Sequence, residues 1–119
     1  MEIVANPYAA TDDGCGVTAS SIETWKGTRA MFGRVVEVRL GGPQEAQGWP
    51  YRRSSAGVAV YPLMTLTDGA GRVLALNGVT SGFEGTGPRG AAQILAAGFF
   101  DEAEALRVAT TFREVRLRR

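Results

Sequence analysis

Hydrophobic positions alternate most regularly between Gly33 and Leu40, where Val36, Val38 and Leu40 fall on one side and Val35, Glu37 and Arg39 on the other. A period of two marks a half-buried strand. Two further β-rich runs, Gly57–Thr67 and Arg72–Gly78, flank Asp68-Gly69-Ala70-Gly71, which predicts an antiparallel hairpin with a four-residue connection. Pro62 cannot donate to a ladder, so its part of the run belongs at an edge or a bulge. Upstream, Met1–Ala5 reads as a short edge strand and Asn6–Gly16, with Pro7, Asp12, Asp13 and two glycines, as loop. Thr18–Met31 carries Ile22, Trp25 and Arg29 at helical spacing, but Gly27 interrupts, and Thr24, Trp25 and Thr28 suit extended chain; a strand is expected there.

The pattern changes after Gly78. Arg89–Ala97 places Ala91, Ala92, Ile94 and Leu95 in a short helix entered through Pro88 at its first position and ended by Gly98. Asp101 starts a second helix, capping it while Glu104 reaches back in a capping box, with Leu106, Ala109 and Phe112 near one face. Val115 and Leu117 then alternate with Arg116 and Arg118 in a last short strand. Gly41–Ser55, which holds Trp49, Tyr51 and the pair Arg52–Arg53, is a long loop. These elements sum to a single α+β domain over residues 1–119, a mainly antiparallel β-sheet with two C-terminal-half helices packed on one side.

Composition narrows the chemistry. The chain has no histidine, which removes the commonest general base and the commonest zinc and iron ligand. The carboxylate pairs Asp12–Asp13 and Asp101–Glu102 lack the spacing of a metal loop and read as a turn and a helix cap. No catalytic residue, metal or cofactor is therefore expected, and a binding protein ranks above an enzyme. Cys15 is the sole cysteine, so no internal disulfide forms and a cytoplasmic setting fits. No stretch has the length and apolarity of a membrane span, nor does a basic segment lead into an apolar core at the start, so neither export nor membrane insertion is expected. Of 13 basic residues only Lys26 is a lysine; arginine forks suit phosphates. The net charge of +1 argues against the broad basic surface of a nucleic-acid binder.

The stretch most suited to a ligand is Asn77–Gly90, NGVTSGFEGTGPRG. Its glycines let backbone approach a bound group, and the helix behind offers free N–H groups and partial positive charge. It lacks both the P-loop lysine and the dinucleotide fingerprint, so it is built to hold a phosphate and not to hydrolyse it. The competing reading is a tight strand-to-helix connection with Thr86 as N-cap. Asn77, Thr80, Ser81, Phe83 and Arg89 crowd the same turn and favour a ligand; Phe83 either stacks on a base or pins the loop. Arg107, Arg113, Arg116, Arg118 and Arg119 make the C-terminal segment locally positive, as an anion rim or as a solvated end. Trp49–Arg53 suits closure over a base and phosphate, or a protein interface.

From Asn77 onward, with GFEGTGPRGAAQIL over Gly82–Leu95 and a second helix bearing arginines, the chain resembles the phage proteins that counter Thoeris defence by sequestering cyclic ADP-ribose-type signalling nucleotides. The resemblance implies a homo-oligomeric, β-rich domain in the host cytoplasm that holds the signal without cleaving it. Its site would comprise Asn77, Phe83, Gly85, Thr86 and Gly87, with Arg89 on the same turn and Arg107 and Arg113 as phosphate partners. Arg52 or Arg53 would join from the same or a neighbouring subunit. The alternative is a protein-interaction module, a phage inhibitor or accessory subunit, acting through the aromatic loop and the arginine-rich end.

Overall fold

The computed structural model describes residues 8–41, 52–53, 56–57 and 59–119. Among them the order is β1 (Ala10–Thr11), α1 (Thr18–Thr28), a 3-10 turn (Arg29–Met31), β2 (Val35–Leu40), β3 (Arg52–Arg53), β4 (Ala59–Val60), β5 (Met64–Asp68), β6 (Val73–Leu76), α2 (Thr86–Ala96), α3 (Glu102–Thr111) and β7 (Val115–Arg118). Five strands form one sheet in the order β1-β6-β5-β2-β7, antiparallel except for the β1–β6 pair, while β3 and β4 pair separately. The class is α+β, as the pattern predicts.

Register explains the core. Val115, Leu40, Met64 and Leu76 stand side by side across four strands, and Leu117, Val38, Leu66 and Leu74 form the next row. Both rows pack against the helices, where Trp25, Ala91, Ile94, Leu95, Ala105 and Val108 complete the buried cluster. Strict alternation fails at one point. The β2–β5 register shifts between Val35 and Glu37, so Val35 packs on the core in place of Val36. The Val36 carbonyl instead accepts the Arg119 N–H at 2.8 Å.

Other expectations need correction. Thr18–Met31 is α1 and the 3-10 turn, not a strand: Ser21 and Trp25, one helical turn apart, are its buried residues, and Ile22 packs beside them. Gly27 is the penultimate residue of α1 and does not split the helix. The Asn6–Gly16 loop contains β1, too short at two residues to show any period. Pro62 separates β4 from β5 and stands inside neither. The helix expected over Arg89–Ala97 begins at Thr86, making Pro88 its third residue. Asp101 caps α3, accepting the Glu104 N–H at 2.8 Å, but the Glu104 carboxylate pairs with Arg107 and does not reach back. The strand expected over Met1–Ala5, and Trp49 and Tyr51 in the long loop, lie outside the described residues. The two residues Arg52–Arg53, expected as loop, form β3.

At the hairpin tip Asp68 is shielded from solvent. Its carboxylate accepts the N–H groups of Gly33 (3.0 Å), Ala70 (3.0 Å) and Arg72 (2.9 Å) and the Arg72 Nε (2.8 Å). Burial alone would raise its pKa, but the Gly33 and Arg72 N–H groups, the Arg72 guanidinium and the Ala70 N–H outweigh burial and hold it at about 2. The folded value thus lies below the value of about 3.9 for an unfolded aspartate. Stabilisation is fully present above about pH 4 and is lost as pH falls toward 2. Thermal melts across that window should fall more steeply for the wild type than for Asp68→Asn, and parallel curves would refute this.

On the open face, Glu37 accepts from Arg39 at 2.8 Å and Arg118 at 3.0 Å, with Arg116 at 3.8 Å. The Arg39 hydrogen bond lowers its pKa most, against a smaller opposing effect of burial, and Arg118 adds to the lowering.

Candidate functional site

After β6 the chain makes the glycine-rich connection to α2. Asn77 pegs its start: the Asn77 N–H donates to Asp12 Oδ2 at 2.8 Å and Nδ2 to the Tyr61 carbonyl at 3.3 Å. Gly82 adopts a φ of +98°, a conformation L side chains rarely take, and a Cβ there would lie 2.8 Å from the Arg113 Cα. Its N–H donates to the Ala109 carbonyl at 2.9 Å. The loop is therefore laid against the end of α3.

Gly85 and Gly87 answer to close packing. A Cβ on Gly85 would press on the Phe83 ring at 2.8 Å, and one on Gly87 on the Thr80 methyl at 2.9 Å. Gly85, and not Thr86, is the N-cap of α2: helical backbone begins at Thr86, and no side chain caps the first turn. Thr86 and Gly87 thus occupy the first turn of the helix, whose N–H groups have no partner within the helix.

Beside this helix start, Ser81, Gly82, Phe83, Arg113 and Glu114 line a shallow groove. Phe83 is 52% exposed. The Arg113 carbonyl accepts the Ser81 hydroxyl at 3.0 Å, which fixes the backbone under the guanidinium.

Ion pairing sorts the arginines. Arg89 pairs with Glu84, and Arg107 with Glu104. The hydrogen bond between the latter two raises the Arg107 pKa and lowers that of Glu104. Arg107 also lies 5.8 Å from the Phe112 ring centroid. Arg116 and Arg118 surround Glu37, and Arg119 donates to the carbonyls of Val35 and Gly98. Among the described residues, Arg113 is the C-terminal arginine whose side chain has no partner. Arg52 and Arg53 form β3, paired with Val60 and Ala59, and their side chains lie outside what is described.

The structure thus brings Phe83 and Arg113 together beside Gly85, Thr86 and Gly87. Asn77 is taken up in hydrogen bonds, and Arg89 and Arg107 are in ion pairs and do not line the groove. Glu114 is the groove residue that the sequence reading missed; only its adjacency to Arg113 could have signalled it.

Among the described residues no group of three or more His, Cys, Asp or Glu could hold a metal ion, and no helix is long and apolar enough to cross a membrane. Comparison of the chain with family models, curated proteins and solved structures gives no match.

Proposed function

We propose that the groove binds a small phosphorylated nucleotide and holds it without turnover, sequestering a signal of the cyclic ADP-ribose type and so antagonising a nucleotide-signalled defence. The observation that carries this reading is an exposed phenylalanine ring and an unpaired arginine on one groove beside an uncapped helix start. In this reading a base stacks on Phe83, an interaction worth about 1–3 kcal/mol. A phosphate meets Arg113 and the N–H groups of Thr86 and Gly87. Glu114 accepts from a ribose hydroxyl. The lack of histidine supports holding over cleavage, because the usual proton acceptor at neutral pH is missing. The protein would act as a homo-oligomer in the cytoplasm, its subunit count read by light scattering.

Calorimetric titration with cyclic ADP-ribose isomers and cyclic dinucleotides tests the proposal. The wild type is expected to bind at least one. Phe83→Ala and Arg113→Gln should each weaken that binding about tenfold, with unchanged melting temperature because both side chains are exposed. The ligand should be recovered intact after heat denaturation. Absence of heat with every nucleotide, or unchanged affinity in both variants, overturns the reading.

One observation favours a protein-interaction module instead: Phe83 and Phe112 are both exposed aromatics, at 52% and 46%. A phage inhibitor or accessory subunit docking there would be weakened by Phe112→Ala, a change that should leave nucleotide binding intact.

A further inference from the structure

The far end of α2 borders a second concavity, a pocket of about 260 Å³ between the sheet, α1 and the α2 C-terminus. Its floor is apolar, built from Trp25, Leu66, Leu74 and Ile94, and Arg29, Arg34 and Arg119 also line it. None of these three arginines has an acidic partner among the described residues. The nearby Asp68 is already engaged by Gly33, Ala70 and Arg72.

Two of the cations are held in place. Arg29 stacks 4.5 Å from the Trp25 ring centroid, and Arg119 lies 4.2 Å from that of Phe99 while donating to Val35 O at 2.8 Å and Gly98 O at 2.7 Å. The Arg34 side chain has no partner among the described residues. An apolar floor under arginines selects a ligand with an apolar body and an anionic head. Arg119 is already engaged by the Val35 and Gly98 carbonyls, which leaves Arg29 and Arg34 to meet the head. Their planar forks match the two oxygens of a carboxylate.

We propose that this pocket is a separate binding site for a small monocarboxylate with an apolar tail, the tail lying on Trp25 and Leu74 and the carboxylate meeting Arg34 and Arg29. It is independent of the nucleotide groove, which borders the opposite end of α2, about 16 Å along an 11-residue helix.

Octanoate, n-octanol and octyl phosphate share one tail and differ in head charge, so calorimetric titration of the full chain with each isolates the head. Octanoate should bind at a 1:1 ratio, about tenfold more tightly than octanol. Arg34→Gln should remove that advantage over octanol without moving the melting temperature. Ala97→Trp, a plug at an exposed position of the rim, should abolish binding. Phe83→Ala should leave octanoate binding unchanged, so that failure here and failure of the nucleotide reading are separable. Equal binding of octanoate and octanol, or octanoate binding that survives both Arg34→Gln and Ala97→Trp, or no octanoate binding at all, overturns the proposal. Tighter binding of octyl phosphate would also overturn it, since the head would then be a phosphate and not a carboxylate.

Discussion

Asp12→Ala is expected to cost about 3 kcal/mol of stability, because it strips the acceptor from three donors at once. Asp12 is only 7% exposed. Its Oδ1 accepts the Gly14 N–H at 3.0 Å, and its Oδ2 accepts both the Asn77 N–H at 2.8 Å and the Ser21 hydroxyl. The Ser21 oxygen in turn accepts the Gly78 N–H at 2.7 Å. One carboxylate thus ties the segment after β1, the first turns of α1 and the end of β6 together. Losing it leaves donors in a region where water has little access, and the penalty for an unmet buried donor exceeds the net worth of a met one. Urea denaturation measures the loss, and a midpoint change equivalent to under about 1 kcal/mol would show that water replaces the carboxylate. Ser21→Ala should cost less, since it leaves Asp12 with its two backbone donors.

Gly41→Ala is expected to be as damaging, for a steric reason. Gly41 sits at φ +96°, and a Cβ there would run into the Arg113 carbonyl oxygen and lie 2.8 Å from the Ser81 Oγ. The left-handed backbone alone costs an L residue about 1–2 kcal/mol, and overpacking adds about 1–3 kcal/mol. The clash also lands on the backbone that carries the groove cation. Under the proposed reading of the groove, nucleotide affinity should therefore fall together with stability, whereas Arg113→Gln should lower affinity alone. Gly27→Ala is the control of opposite sign. Nothing lies within 4 Å of a Cβ at that helical position, so the change should stabilise the protein by about 0.5–1 kcal/mol. Melting curves of the two variants compare directly.

What was legible in the sequence follows from how local each signal is. The turn of the β5–β6 hairpin, β6, α2, α3 and β7 carry their own periods and stop signals, and they form where those signals place them to within a few residues, whereas the run expected over Gly57–Thr67 is divided at Pro62 into β4 and β5. α1 was hidden because only one residue pair, Ser21 and Trp25, is deeply buried, so threonines and a glycine dominate its composition. β1 owes its existence to β6, which no local pattern reveals. The bulge at Val36 likewise depends on pairing with β5.

The candidate site divides in the same way. Its glycine loop is contiguous and could be read directly, whereas the choice of Arg113 over Arg107 is made by Glu104, one turn before Arg107 on α3. Arg29, Arg34 and Arg119 meet at one pocket only through the pairing of β2 with β7 and the packing of α1, so no spacing in the chain announces them.

The ring of arginines around Glu37 has a consequence for self-association. Among the described residues β7 ends the five-stranded sheet and pairs on one side only, with β2. An identical strand adding antiparallel to that edge, centred on Leu117, would set Arg116 against Arg118 of the second copy, and like charges directly opposite one another repel. The lone carboxylate of Glu37 is already shared among three guanidinium groups and cannot neutralise a further set. Sheet extension into fibres in that register is thereby discouraged at β7.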